Sequence, residues 1–286
     1  MKSKIFSYNQ KRSLLLIFLA VFMIACTPDS DISFKSNGVL SGEFSISDST
    51  KVHFSMGNLQ YQPSSGKWRF AAKQYDIIGD GNQNISSSSK QWIDLFGWGT
   101  GNNPTLVSTN DSDYMDFIDW GINAISNGGQ KANLWRTLTK DEWVYLFHDR
   151  PNAAFLFGMG FVNGVPGTIL LPDNWTEEKF TDTENGLEYQ DHYYFNKNGT
   201  NYSFHTYTSE QWKSMEQNGA VFLPVAGMRW GNDFANDMQI GCYWSASYLP
   251  NKHKSWHLYF NPERLAPRAY QIPSMGFSVR LVRNIN

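Results

Sequence analysis

The chain predicts an α+β fold: two short helices, small antiparallel sheets and long ordered loops. Three observations carry this. Two capping boxes, Thr139 with Glu142 and Thr208 with Gln211, each precede a stripe of large apolar residues. The last fifth, Gly241 to Arg283, holds three alternating, aromatic-rich runs. Between these features lie segments rich in Gly, Asn and Asp with scattered rings.

In chain order, Val52, Phe54 and Met56 alternate with polar residues as in a half-buried strand. Trp68 and Phe70 repeat the pattern after a turn at Pro63–Gly66. Gly79 to Ser89 reads as surface loop, and Asp94 to Asn127 as ordered loop packed by its own rings. In the first helix Trp143, Leu146 and Phe147 share a face, and Pro151 stops it. Gly158-x-Gly160 ends in Asn163 where a dinucleotide fingerprint needs Gly, and reads as a turn. Asn163-Gly164 then predicts a hairpin. The second helix buries Trp212 and Met215 and stops at Asn218-Gly219. Val221 to Gly227 is apolar throughout, a core strand with Pro224 at an end or bulge. In the last fifth, strand-like runs alternate with two expected loops, Tyr248–Ser255 and Asn261–Ser274.

The N-terminus carries the export reading. Lys2, Lys4, Lys11 and Arg12 precede an apolar run of 12 residues, Leu14 to Ala25. That length suits a signal peptide and is too short to span a bilayer. Met23-Ile24-Ala25-Cys26 resembles a bacterial lipobox, which implies cleavage after residue 25 and lipidation of Cys26. Residues 26–37 then form a tether, and 38–286 the folded domain. Acyl chains on Cys26 would hold the protein on a membrane, each buried CH₂ adding about 0.8 kcal/mol. The expected location is the outer membrane or cell surface. Losing four basic residues and no acidic ones shifts the formal net charge from −2 to −6. An acidic domain is a poor partner for nucleic acid. With Cys26 lipidated, Cys242 stands alone, so no internal disulfide can support the domain. Aromatic residues make up 16% of the chain and must fill most of the core.

Arg136-Thr137-Leu138-Thr139-Lys140-Asp141-Glu142-Trp143-Val144-Tyr145 resembles a helix signature of the formylglycine-generating (sulfatase-modifying) family. Gly276-Phe277-Ser278-Val279-Arg280 resembles that family's closing strand. A resemblance over roughly residues 39 to 286 is to the major paralogous domain family of bacterial surface lipoproteins, first noted in Fibrobacter. It rests on Gly57–Tyr61, Asp94–Gly99, the Thr139 helix, Tyr243–Ser247 and Ser278–Arg280. Both resemblances imply a C-type-lectin-like fold.

Catalysis is not expected. Formylglycine-generating enzymes hold copper with a pair of cysteines, and one thiolate, Cys242, cannot supply that site. Cys242 is read as a buried structural thiol. His253 and His257 would point the same way along a strand but about 13 Å apart, too far for one metal. They are read as loop and strand-surface residues. Asp80-Gly-Asn82-Gln-Asn84 begins like a calcium loop without its later Gly or Glu, and Asp111, Asp113, Asp116 and Asp119 cluster nearby in sequence. No cofactor is assigned; a structural calcium ion stays open.

The expected ligand face is the two late loops and their rim. It comprises Tyr248, Asn251, His253 and Lys254 from the first, Arg264, Arg268 and Tyr270 from the second, Trp256 between them, and Arg229 and Trp230 on the rim. These residues offer donors and flat rings of the kind used in surface recognition. The functional expectation is an exported lipoprotein with a non-catalytic recognition domain for a glycan, peptide or surface protein. The alternatives are a structural or adhesin subunit of a surface assembly and, less favoured, a formylglycine-generating-type enzyme.

Overall fold

A computed structural model describes residues 37–175, 205–236 and 239–285. The expected signal peptide (1–25), Cys26 and the tether up to residue 36 lie outside the described residues. The fold is α+β, with two helices and several small, mostly antiparallel sheets among the described residues. No helix among them is long and apolar enough to cross a membrane.

In chain order the strands begin with β1 (Phe44–Ser45), β2 (Lys51–Phe54), β3 (Leu59–Gln62), β4 (Lys67–Phe70) and β5 (Arg136–Thr137). Helix α1 (Lys140–Val144) follows, continued by a π-turn at Tyr145–Asp149. Next come β6 (Phe157–Val162), β7 (Val165–Leu170), β8 (Thr206–Tyr207), helix α2 (Ser209–Gln217) and β9 (Val221–Pro224). The rest is β10 (Met228–Trp230), β11 (Asp233–Ala235), β12 (Gly241–Leu249), β13 (Lys254–Asn261), β14 (Arg264–Gln271), β15 (Met275–Gly276) and β16 (Leu281–Asn284).

Five sheets result. Their orders are β1-β2-β16-β5, β3-β4, β8-β6-β7-β9, β11-β10-β15 and β12-β13-β14. Only the short β6–β8 pairing is parallel among the paired strands. Both capping boxes form: Thr139 accepts from the Glu142 amide while Glu142 accepts from the Thr139 amide, and Thr208 and Gln211 do the same. Each such cap stabilises its helix by about 1 kcal/mol. The β6–β7 hairpin turns on Asn163 and Gly164, at φ 49° and 79°. Two consecutive left-handed residues match the twist of the flanking strands, which explains the Asn-Gly pair. Pro224 ends β9, where the missing N–H costs no ladder bond.

Two expectations need correction. Gly158 and Gly160 lie inside β6, not in a turn. Gly160 faces Gly167 across the hairpin, and a side-chain carbon there would meet the His205 carbonyl at 2.6 Å, so glycine lets β8 approach. The expected loop Asn261–Ser274 is mostly strand. Asn261 pairs with Arg264 around a tight turn, and β14 runs back along β13 to Gln271. The alternation is broken at Pro267 and Arg268, opposite a register shift between His257 and Tyr259. That bulge admits a proline into the strand and hides the strand from its own sequence pattern.

Sheet β12-β13-β14 divides two large aromatic cores. Tyr243, Leu258 and Phe260 join Phe54, Trp143 and Leu146 on the α1 side. Cys242 and Trp244 join Trp68, Phe96, Trp120 and Phe277 on the other. The 94–127 segment is packed by its own rings, as in Trp98–Phe117 at 5.0 Å and Phe117–Trp120 at 5.9 Å. A third core lies between α2 and the β6-β7-β9 sheet, around Trp212, Met215 and Phe222.

Candidate functional site

β12 starts in the core and ends at the surface. Gly241 to Ser245 are buried, and Ala246 to Leu249 are half-buried. A register irregularity between Trp244 and Tyr248 separates the two parts. Beyond it the chain reverses through one 3-10 turn, Pro250–Lys252, closed by His253 in the left-handed region. The expected Tyr248–Ser255 loop therefore shrinks to this turn, with Tyr248 on β12 and Lys254 on β13.

On the α1 side of this outer end, Trp256 pairs with Tyr270 across β13 and β14. Their rings meet edge to face, with centroids 5.5 Å apart at 89°. Lys252 donates from Nζ to the Tyr270 hydroxyl at 2.7 Å, and its ammonium lies 4.4 Å from the ring centroid. Lys254 stands two residues from Trp256 on β13, so alternation puts it on the same face. Lys140, the first residue of α1, places its Nζ 5.5 Å from the Trp256 ring. The Lys140 amide donates to Ser247 Oγ at 3.0 Å, which ties the helix start to β12. Arg268 is exposed on β14, two residues before Tyr270.

The remaining predicted site residues go elsewhere. Tyr248 turns to the opposite face, stacks on Trp98 at 5.3 Å, and meets His253 Nδ1 and Met115 Sδ, each at 3.5 Å. Asn251 is exposed on the turn. Arg264 sits at the far end of β14, its guanidinium 4.9 Å from the Tyr259 ring. Trp230 is exposed, but on β10 in a different sheet.

Two side chains are corrected outright. Arg229 is fully buried, not on a rim. It donates to the Gly231 carbonyl at 2.7 Å and to the Leu95 carbonyl at 3.4 Å, and burial lowers its pKa to about 10. His257 is buried, not at the strand surface, against Trp244 and Phe277. Burial pushes its imidazole down to about 3. Cys242 is buried as expected, and burial keeps its thiol protonated.

The two possible cation loops are occupied by packing roles. Asn82 is buried; its Oδ1 accepts from the Asp94 and Leu95 amides, and its Nδ2 donates to Asp94. Asp119 caps a 3-10 turn through the Gly121 amide and also accepts from the Thr137 amide. Asp111 accepts from Ser274 Oγ. The described residues bring together no group of three or more His, Cys, Asp or Glu side chains fit for a metal.

Sequence reasoning missed Lys140 and left Lys252 out of the ligand face. A signal for Lys140 was present. A lysine in the first turn of a helix opposes the helix dipole, so it needs another reason to be there. Comparison with protein-family models, curated proteins and solved structures returned no match.

Proposed function

We propose that the chain is an exported, lipid-anchored protein whose folded domain, residues 38–286, is a non-catalytic recognition module of C-type-lectin-like type. Its ligand docks on the outer end of the β12–β14 sheet. One observation carries the reading: Trp256 and Tyr270 form a solvent-facing aromatic pair bordered by amines from three separate elements. Lys140 comes from α1, Lys252 from the 250–253 turn and Lys254 from β13. Rings and long cationic side chains brought to one surface suit binding, where an aromatic contact supplies area and the amines supply direction.

The test is a glycan and surface-protein binding screen with wild type, Trp256→Ala and Tyr270→Ala, near-UV circular dichroism confirming the fold. Both variants should lose binding at least about tenfold. Binding unchanged in both would remove this face. Self-assembly into surface polymers, indifferent to both variants, would move the protein into the structural-subunit class. A fatty-acid label lost on Cys26→Ala tests the anchor.

A further inference from the structure

We infer that the ligand of the Trp256–Tyr270 face is an anionic glycan, one whose sugar rings carry carboxylate or sulfate groups. The inference rests on the recognition reading above and narrows it to a chemical class.

Charge complementarity names the occupant. From Gly241 to Gln271 the chain has four cations, Lys252, Lys254, Arg264 and Arg268, and one acid, Glu263. The whole chain carries a net charge of −2, so this stretch departs from its surroundings in sign. Glu263 lies at the Asn261–Arg264 turn, at the far end of the strand pair from Trp256 and Tyr270. Five residues of β13 separate the two places, about 16 Å. Among the described residues, Lys252, Lys254 and Arg268 make no salt bridge, whereas Lys140 is neutralised by Asp141 at 2.6 Å. Two cations without a salt bridge, Lys252 and Lys254, thus border the aromatic pair, and a third, Arg268, is exposed on the same strand as Tyr270.

The rings favour a sugar over a bare anion. A pyranose offers C–H groups on its flat side and polar groups at its rim. Packed on Trp256 or Tyr270, it would turn a rim carboxylate or sulfate toward the amines. Lys252 is held in place by its bond to the Tyr270 hydroxyl, so less freedom is lost when it engages an anion. The acidic net charge of the whole molecule works against long, dense polyanions. A short glycan with its charges spaced by sugar rings meets that objection.

The experiment is calorimetric titration of the full chain, anchored in neutral phosphatidylcholine vesicles, with hexagalacturonate, a sulfated hexasaccharide, neutral cellohexaose, hexaglutamate and phosphatidylglycerol vesicles. At least one anionic hexasaccharide should bind, and cellohexaose should bind at least about tenfold more weakly. Binding should weaken severalfold between about 0.05 and about 0.3 M salt. It should fall about tenfold in Trp256→Ala, and as much in the Lys252→Ala/Lys254→Ala double variant. Carboxylate or sulfate is decided by which hexasaccharide is preferred. Several outcomes overturn the inference. If cellohexaose binds as well, with loss in Trp256→Ala but not in the lysine variant, the charge assignment fails and the recognition face survives. If hexaglutamate or vesicles bind as well as the anionic sugars, indifferent to Trp256→Ala, the patch is a general anion attractor and the glycan assignment fails. If neither anionic hexasaccharide binds, the inference fails, and the wider screen above decides the face separately.

Discussion

The inner and outer ends of one three-stranded sheet behave as different materials. At the inner end, Gly241 to Trp244 pair with His257 to Phe260, and both faces are sealed by aromatic cores. The Trp244 indole donates to the Phe96 carbonyl at 2.7 Å and packs on Phe277 at 4.5 Å. At the outer end, Trp256 has a comparable ring but meets Tyr270 and the Lys140 amine, with one side toward water. The strands are continuous between the two, so residue type does not distinguish them. What differs is whether the polar groups nearby are engaged by the protein's own backbone. A buried ring whose N–H meets a carbonyl supports the fold; a half-buried ring bordered by amines is available to a partner.

The largest expected effect sharpens this contrast. Trp244→Ala should cost about 4 kcal/mol of unfolding free energy in a urea titration, from lost burial and the cavity left behind. A loss below about 1 kcal/mol would mean that the inner end is not the sealed core described.

The next effect is in pH. His257 belongs to the inner end, and its pKa falls from 6.5 to about 3 because burial penalises the charged ring. Its contribution is intact above pH 6.5 and lost as pH falls toward 3, since the unfolded chain takes up the proton first. Asp94 has the opposite sign. Burial raises its pKa from 3.8 to about 6, against hydrogen bonds from Asn82 and the Ile78 amide. Its contribution is full below pH 3.8 and lost as pH rises through about 6. Between about pH 6 and 4 each group is worth about 2 kcal/mol, and the two oppose. Urea titrations at both values should show it. Relative to wild type, His257→Gln should gain about 2 kcal/mol on acidification and Asp94→Asn should lose about as much. Slopes equal to wild type in both variants would contradict these burials.

Smaller effects belong to α1 and the outer end. Thr139→Ala removes half of the capping box and should cost about 1 kcal/mol, read from the thermal midpoint. Because Lys140 begins α1, the same change should also weaken ligand binding slightly. Trp256→Ala should cost less than about 1 kcal/mol in stability while losing binding about tenfold. A stability loss as large as that of Trp244→Ala would erase the distinction between the two ends.

Legibility in the sequence followed the range of the forces involved. The capping boxes, the Asn163-Gly164 hairpin and the Pro224 strand end depend on neighbours a few residues away, and the structure has all of them. Trp256 and Tyr270 are both named by the sequence reading, but not as a pair, and Tyr270 is expected on a loop. The Pro267 bulge erased the alternation that would have shown β14 as a strand. The rim position of Arg229 fails because the Gly231 carbonyl beside it does not reveal the burial that the distant acceptors impose. The Leu95 carbonyl comes from a distant segment. His257 failed for the same reason, since Phe277 reaches it from beyond β14. Lys140 escaped because Trp256 lies far along the chain. Local patterns reveal helices and turns, but a surface assembled from α1, a turn and two strands becomes visible only once the chain is folded.

The pairing of β2 with β16 sets an order of events. Phe54 stands opposite Val282, and the Leu281 carbonyl accepts from the Ser55 amide. Among the described residues, β16 is also the strand that joins the β1–β2 hairpin to β5. Closing so long a loop is slow, because its entropy must be lost before the contact is gained. A chain that emerges N-terminus first therefore cannot complete this sheet until β16 has arrived. The closing strand acts as a completion signal: until residues 281–284 are in place, β2 and β5 lack the strand that joins them.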